Sequence, residues 1–228
     1  MPTAPDSPSA VAFFDVDETL VTIKSMFDFY DYFLEAIGHT PAEQQRLRDD
    51  ARSLLRPGMP RKEGNRLFYR RFAGYSEADV AAHGRAWFER HLAGGRLFNQ
   101  DVLAALRRHT EEGMTTVLVS GSFRACLDPI AAYSGANVVL CTGLETRDGV
   151  YTGEVVRSMI GDAKADAARW VMRERGVSYT DCYSYGDHTS DLEMLRLVGN
   201  PVVVGDNPEL VAEAVQKGWR RLAGTLVA

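Results

Sequence analysis

The stretch "FFDVDETLV", residues 13–21, sets three acidic side chains (Asp15, Asp17 and Glu18) at the mouth of an apolar run that starts at Val11. Like charges repel, and moving carboxylates out of water costs free energy. Alone, the stretch reads as a buried strand that ends at Asp15, followed by a solvated turn. Whether the acids do more depends on what the rest of the chain brings to the same place.

Residues 24–95 carry helical periodicity only. Met26, Tyr30, Phe33 and Ile37 recur at helical spacing; Leu47, Leu54 and Leu55 mark a second helix, and Leu67, Phe68 and Phe72 a third. Ser76 with Asp79 is phrased as a cap opening a fourth, which closes at Gly94 and Gly95. The aromatic group Phe27, Phe29, Tyr30, Tyr32 and Phe33 reads chiefly as core of this helical part, with a substrate-facing wall as the other reading.

From Leu97 on, helices and strands alternate. "MTTVLVSGS", "NVVLCTG", "DCYSYGD" and "PVVVG" read as strands, "TRDGVYTGEV" as a hairpin turning on Asp148-Gly149, and Asp162 to Arg175 as a helix. Asp128-Pro129 is placed like a helix cap and first turn, or else a kink; Asn207-Pro208 opens a last helix that Gly218 ends. Alternation of this kind predicts an α/β fold: a Rossmann-like parallel sheet with helices on both faces. The expected division is a disordered tail over 1–10, a catalytic core from 11–23 and 96–228, and an inserted all-helical cap over 24–95.

Ligands of such sheets sit beyond the carboxyl ends of the strands. That rule gathers Asp15 and Asp17 after one strand, Ser120-Gly121-Ser122 after another, and Asp187 with Asp191 after a third. "DVDET" (15–19), "VSGS" (119–122), Lys164 in "GDAKAD" and "GDHTSD" (186–191) stand in an order that resembles the haloacid dehalogenase superfamily, in its phosphatase branch. "VSGSFR", "TGLETRDGVYTGEV" and "YSYGDHTSDLEML", with the helical insertion, are similar to the phosphoserine-phosphatase-like subgroup that carries a small helical cap.

The resemblance implies a Mg²⁺-dependent hydrolase of phosphate monoesters working through a phosphoaspartate. It makes Asp15 the nucleophile and Asp17 the acid and base for the leaving oxygen and the water. Lys164 becomes the cation facing Asp15 and the phosphate. Ser120, the Gly121 N–H and Ser122 fall in the phosphate-binding turn, and Thr19 braces the loop. The implied metal set is Asp15, the backbone carbonyl of Asp17, Asp187 and, in support, Asp191. Such chemistry needs a nucleophile, cations on the phosphoryl oxygens and an acid for the leaving group, which these residue types supply.

One departure bears on substrate. The phosphoserine phosphatases carry a glutamate nine residues after the nucleophile; here that residue is Lys24. A free cation there repels an ammonium and accepts an anion or a hydroxyl-rich group, so phosphoserine is expected to be a poor substrate. The other reading has Lys24 pointing to solvent. Arg124 is a second candidate for an anionic substrate group. Arg70 and Arg71 are left open as cavity residues, His188 reads as a surface-loop histidine, and Glu18 receives no role.

Bulk properties bound the alternatives. A net charge of −5 argues against nucleic acid as partner, and three scattered cysteines with five histidines give neither a disulfide framework nor a zinc site. No apolar run reaches membrane-spanning length, and "MPTAPDSPSA" lacks a signal peptide's apolar stretch, so a cytoplasmic enzyme is expected. A phosphomutase or phosphotransferase of the same superfamily is the nearest alternative. A phosphoaspartate receiver module is a remoter one, since it needs neither Asp17 nor the helical insertion.

Overall fold

The computed structural model describes residues 10–55 and 57–224. The tail expected over 1–10 lies, apart from Ala10, outside the described residues. In chain order the elements are β1 (Val11–Phe14), α1 (Ser25–Ala36), α2 (Pro41–Arg52), α3 (Arg61–Tyr69), α4 (Glu77–Gly94), α5 (Gln100–Glu111) and β2 (Thr115–Ser120). There follow α6 (Arg124–Ser134), β3 (Val138–Cys141), β4 (Gly143–Arg147), β5 (Val150–Arg157), α7 (Asp162–Arg175), β6 (Tyr183–Gly186), α8 (Leu192–Leu197), β7 (Asn200–Val204), α9 (Pro208–Lys217) and β8 (Arg220–Leu222).

Six strands form one parallel sheet in the order β3-β2-β1-β6-β7-β8. Because side chains alternate across a strand, Ala12 and Phe14 enter one core layer while Val11 and Phe13 enter the other. Both faces of β1 are therefore covered, and the run reads as continuously apolar. β1 lies between β2 and β6, with Phe14 opposite Leu118 on one side and Tyr185 on the other. That register sets the segments after β1, β2 and β6 side by side at one edge.

Helices α1–α4 pack over this edge. Their core is aromatic: Phe29, Phe33, Phe72 and Trp87 meet at ring distances of 5.6–6.1 Å, and Phe123, from the turn after β2, joins at 5.7 Å from Phe29 and 5.1 Å from Phe72. Phe29 and Phe33 are thus core, whereas Phe27 lines a cavity. The hairpin β4–β5 stands apart from the main sheet and is bonded to the helical layer by Gly74 N–H to the Tyr151 carbonyl (2.9 Å), Tyr151 N–H to the Tyr75 carbonyl (3.0 Å) and Glu77 N–H to the Gly149 carbonyl (2.9 Å).

Pro129 is not a first-turn residue. It lies inside α6, whose N-cap is Phe123, so the cap-and-first-turn reading gives way to the interior one. Pro129 has no N–H for the Ala125 carbonyl, and α4 closes on that carbonyl: a Cβ at Gly84 would lie 2.0 Å from the Ala125 oxygen. Only glycine allows the two helices to approach so closely.

Candidate active site

The turn after β1 wraps around one carbonyl. Thr19, Leu20 and Val21 all donate their N–H groups to the Val16 oxygen at 2.9–3.3 Å, which throws Asp15 and Asp17 toward the sheet edge. Asp15 is buried. Its Oδ1 accepts from Lys164 Nζ at 2.5 Å and its Oδ2 from Thr19 Oγ1 at 3.2 Å. Lys164 sits in the first turn of α7 and donates also to Asp191 Oδ1 at 2.6 Å. Burial works against the ammonium, but Asp15 and Asp191 outweigh it and hold the Lys164 pKa above its ordinary value.

Asp187 follows β6 and accepts from Thr19 Oγ1 at 2.8 Å. Asp191 packs against the end of β6, where a Cβ at Gly186 would stand 2.7 Å from its own Cβ, and its Oδ2 accepts from the His188 N–H at 3.2 Å. One carboxylate oxygen from each of Asp15, Asp187 and Asp191 lies within 4.8 Å of the others. Burial, then the charges of Asp15 and Asp191, push Asp187 up to about 8. An all-oxygen set of this charge, with Lys164 the one cation bonded to it among the described residues, fits a hard dication such as Mg²⁺.

Asp17 leans away from that cluster and accepts from the Ser25 N–H at 3.1 Å. Burial pushes its carboxyl up to about 7; the Ser25 hydrogen bond opposes this and the charge of Asp15 adds to it. A carboxyl poised near neutrality can give and retake a proton. Ser25 in turn donates through its hydroxyl to Ser122 Oγ at 2.8 Å, so Ser122 is fully buried behind the turn and supports Asp17 at one remove.

Asp15, Asp17, Lys164, Asp187 and Asp191 line a cavity of about 290 Å³ together with Ser120, Gly121, Lys24, Glu18, Arg61 and His188, while Thr19, Ser25 and Ser122 are buried outside its lining. Its apolar lining is Met26, Phe27, Leu54, Met59 and Ile160, the last packed against Gly121. Three donors converge on the Gly121 carbonyl: Thr142 Oγ1 at 2.8 Å, Asn65 Nδ2 at 2.9 Å and the Tyr69 hydroxyl at 3.1 Å. Two of them come from α3, so the helical layer fixes the backbone of the "SGS" turn.

Several sequence expectations are corrected. Arg124 does not reach the cavity: it opens α6, is 63% exposed on its side chain, and pairs with Asp128 one turn on, at 3.1 Å. Lys24 does line the cavity but is not a free cation, since Glu18 Oε2 lies 3.3 Å from its Nζ. His188 is not a bystander on a surface loop. It is half-buried in the cavity wall, with Arg61 Nη1 2.7 and 2.8 Å from its two ring nitrogens; burial and that guanidinium push it down to about 4. Arg70 and Arg71 face Glu154 and Asp50 instead. Asn65, Tyr69 and Arg61 were missed. The i, i+4 placing of Asn65 and Tyr69 beside Gly64 was the available signal, since it puts two polar groups on one helix face.

Comparison with known proteins adds three relatives and a family. A family model described as haloacid dehalogenase-like hydrolase matches residues 12–196. A probable phosphatase of Mycobacterium tuberculosis is 38% identical over 119 residues, which are 52% of this chain and 40% of that one. The chain therefore spans about two-fifths of the length of that relative. A histidinol-phosphatase of Neisseria meningitidis is 27% identical over 219 residues, covering 92% and 96% of the two chains. Among solved structures, a Bordetella pertussis protein of unknown function superposes with a TM-score of 0.83 at 25% identity, over 94% of this chain and 98% of that one.

Proposed function

The chain belongs to the haloacid dehalogenase-like hydrolases, and on that premise we propose that it is a Mg²⁺-dependent phosphatase of small-molecule phosphate monoesters, with residues 11–23 and 96–228 as catalytic core and 24–95 as cap. The observation that carries this reading is the buried contact of Asp15 with Lys164, 2.5 Å, beside two further carboxylates.

In this reading Asp15 attacks phosphorus with a carboxylate oxygen. The bond from phosphorus to the leaving oxygen breaks, its electron pair stays on that oxygen, and the Asp17 proton goes to it. Asp17, now a carboxylate, takes a proton from the water that attacks the acyl phosphate, which frees phosphate and restores Asp15. Ser120 and the Gly121 N–H hold phosphoryl oxygens, in a turn whose carbonyl side is fixed by Asn65, Tyr69 and Thr142. Lys164 holds the Asp15 carboxylate in place and offsets phosphoryl charge. Asp15, the Asp17 carbonyl and Asp187 would hold Mg²⁺, braced by Asp191. The ion supplies the positive charge that lets an anionic nucleophile approach a phosphate dianion.

Phosphoserine is expected to be a poor substrate, because the carboxylate at the cavity mouth that could hold its ammonium, Glu18, is already paired with Lys24 at 3.3 Å. The test is a phosphate-release screen over amino-acid, sugar, polyol, aryl and alkyl monoesters. Turnover with Mg²⁺, its loss in chelator and its return on adding Mg²⁺ are expected, with phosphoserine well below the best ester. Turnover that persists in chelator would overturn the metal-dependent reading, and phosphoserine as best ester the substrate reading.

A further inference from the structure

Glu18 is the residue the chemistry leaves unused, and its setting is unusual. It stands at the tip of the turn after β1 with φ +62°, a left-handed conformation that side chains other than glycine and asparagine rarely adopt. It lies between Asp17 and Thr19, lines the cavity, and holds Lys24 at 3.3 Å across the entry to α1. Lys24 adjoins Ser25, whose N–H bonds Asp17, the residue assigned above to the leaving oxygen; the rim's other cation, Arg61, rests against the ring of His188. Beyond the pair the wall continues as Met26 and Phe27.

We infer that Glu18 is a specificity-determining residue: by pairing with Lys24 at the cavity mouth it withholds that cation from anionic leaving groups and biases the site toward esters whose leaving group has an uncharged, largely apolar body. The inference rests on the phosphatase reading above and names the substrate class within it. A free Lys24 would attract a carboxylate and a free Glu18 an ammonium; paired, the two cancel at the distance of a substrate group. What then selects the leaving group is the apolar wall. The side chains are 50% exposed at Lys24 and 37% at Glu18, so water screens the pair and the effect on selectivity is moderate.

The experiment compares kcat/KM for benzyl phosphate (uncharged leaving group), phosphoglycolate (anionic) and phosphoethanolamine (cationic), each with Mg²⁺. In the unaltered protein benzyl phosphate is the best of the set. Glu18→Gln raises the phosphoglycolate to benzyl phosphate ratio by about three- to tenfold. Lys24→Gln instead raises the phosphoethanolamine ratio by a similar factor, and the double variant returns both ratios to near their original values. Glu18→Gln leaving both ratios within about twofold, or lowering phosphoethanolamine turnover alone, would overturn the inference; the second result would mean that Glu18 reads an ammonium directly. If no ester is turned over, the phosphatase reading fails separately. The charge effect is then read from the affinities of the same esters for Asp15→Asn protein by calorimetry, where adding Glu18→Gln must shift the ratio equally.

Discussion

Replacing Asp15 by asparagine is expected to lower phosphate release by roughly 10⁵- to 10⁶-fold, the scale on which loss of a nucleophile is felt in a cooperating site. An amide oxygen is a poor nucleophile and carries no charge. The substitution is also nearly isosteric, so the fold should survive it. Thr19 can still donate to the side chain at position 15, and Lys164 keeps its contact with Asp191 at 2.6 Å. Steady-state turnover of the best ester from the screen, beside an unfolding curve, separates the two effects. Activity within about tenfold of the unaltered protein would mean that phosphorus is attacked by something other than Asp15.

The largest loss of stability is expected from Lys164→Met. Lys164 is 4% exposed and is the ammonium that both Asp15 and Asp191 touch. Removing one member of a buried ion pair leaves its partners without compensation, and such changes cost about 3–5 kcal/mol. Here two carboxylates are stranded beside a third, Asp187, that is already pushed up to about 8. Urea unfolding without divalent cations should show the full loss as a lower midpoint. Added Mg²⁺ should recover part of it, because an ion bound only by the folded state stabilises that state. An unchanged midpoint would mean that the lysine is not compensating these acids; a full loss with no recovery in Mg²⁺ would argue against the acids holding a metal.

Much of the site was legible because it is local to strand ends. Each of "DVDET", "VSGS" and "GDHTSD" follows a run that reads as a strand, and the parallel sheet places β2, β1 and β6 side by side, so the sequence order of the pieces converts directly into proximity. Lys164 was legible only through the family pattern, since one lysine on a helix is ordinarily solvated. What escaped was whatever depends on the direction a helix faces. Arg124 follows the "SGS" turn in sequence, yet as the first residue of α6 it swings outward to Asp128; Arg61, far away in sequence, arrives over His188 because α3 crosses the cavity.

The same limit explains Lys24 and Asn65. Position 24 could be placed at the mouth by counting from Asp15, but its pairing with Glu18 depends on a left-handed residue that no apolar pattern announces. Asn65 lies at 4% exposure among aromatic residues, where its bonds to Gly121, Thr142 and Ser158 satisfy it. Those partners lie in the segments after β2, β3 and β5, far from α3 along the chain. β8 escaped for a simpler reason. Arg220–Leu222 has no apolar alternation and is a strand only by pairing with Val202–Val204.

The account turns on a covalent bond between phosphorus and the first aspartate of "DVDET". Asp17→Asn protein, turned over on an aryl phosphate whose leaving group needs no protonation, should accumulate that species, because the base that activates water is gone. Acid quenching followed by peptide mass mapping reads it directly. One phosphoryl group on the peptide containing Asp15, absent when Asp15→Asn is added, is the predicted result; an unmodified peptide, or the phosphoryl group on another residue, would contradict it.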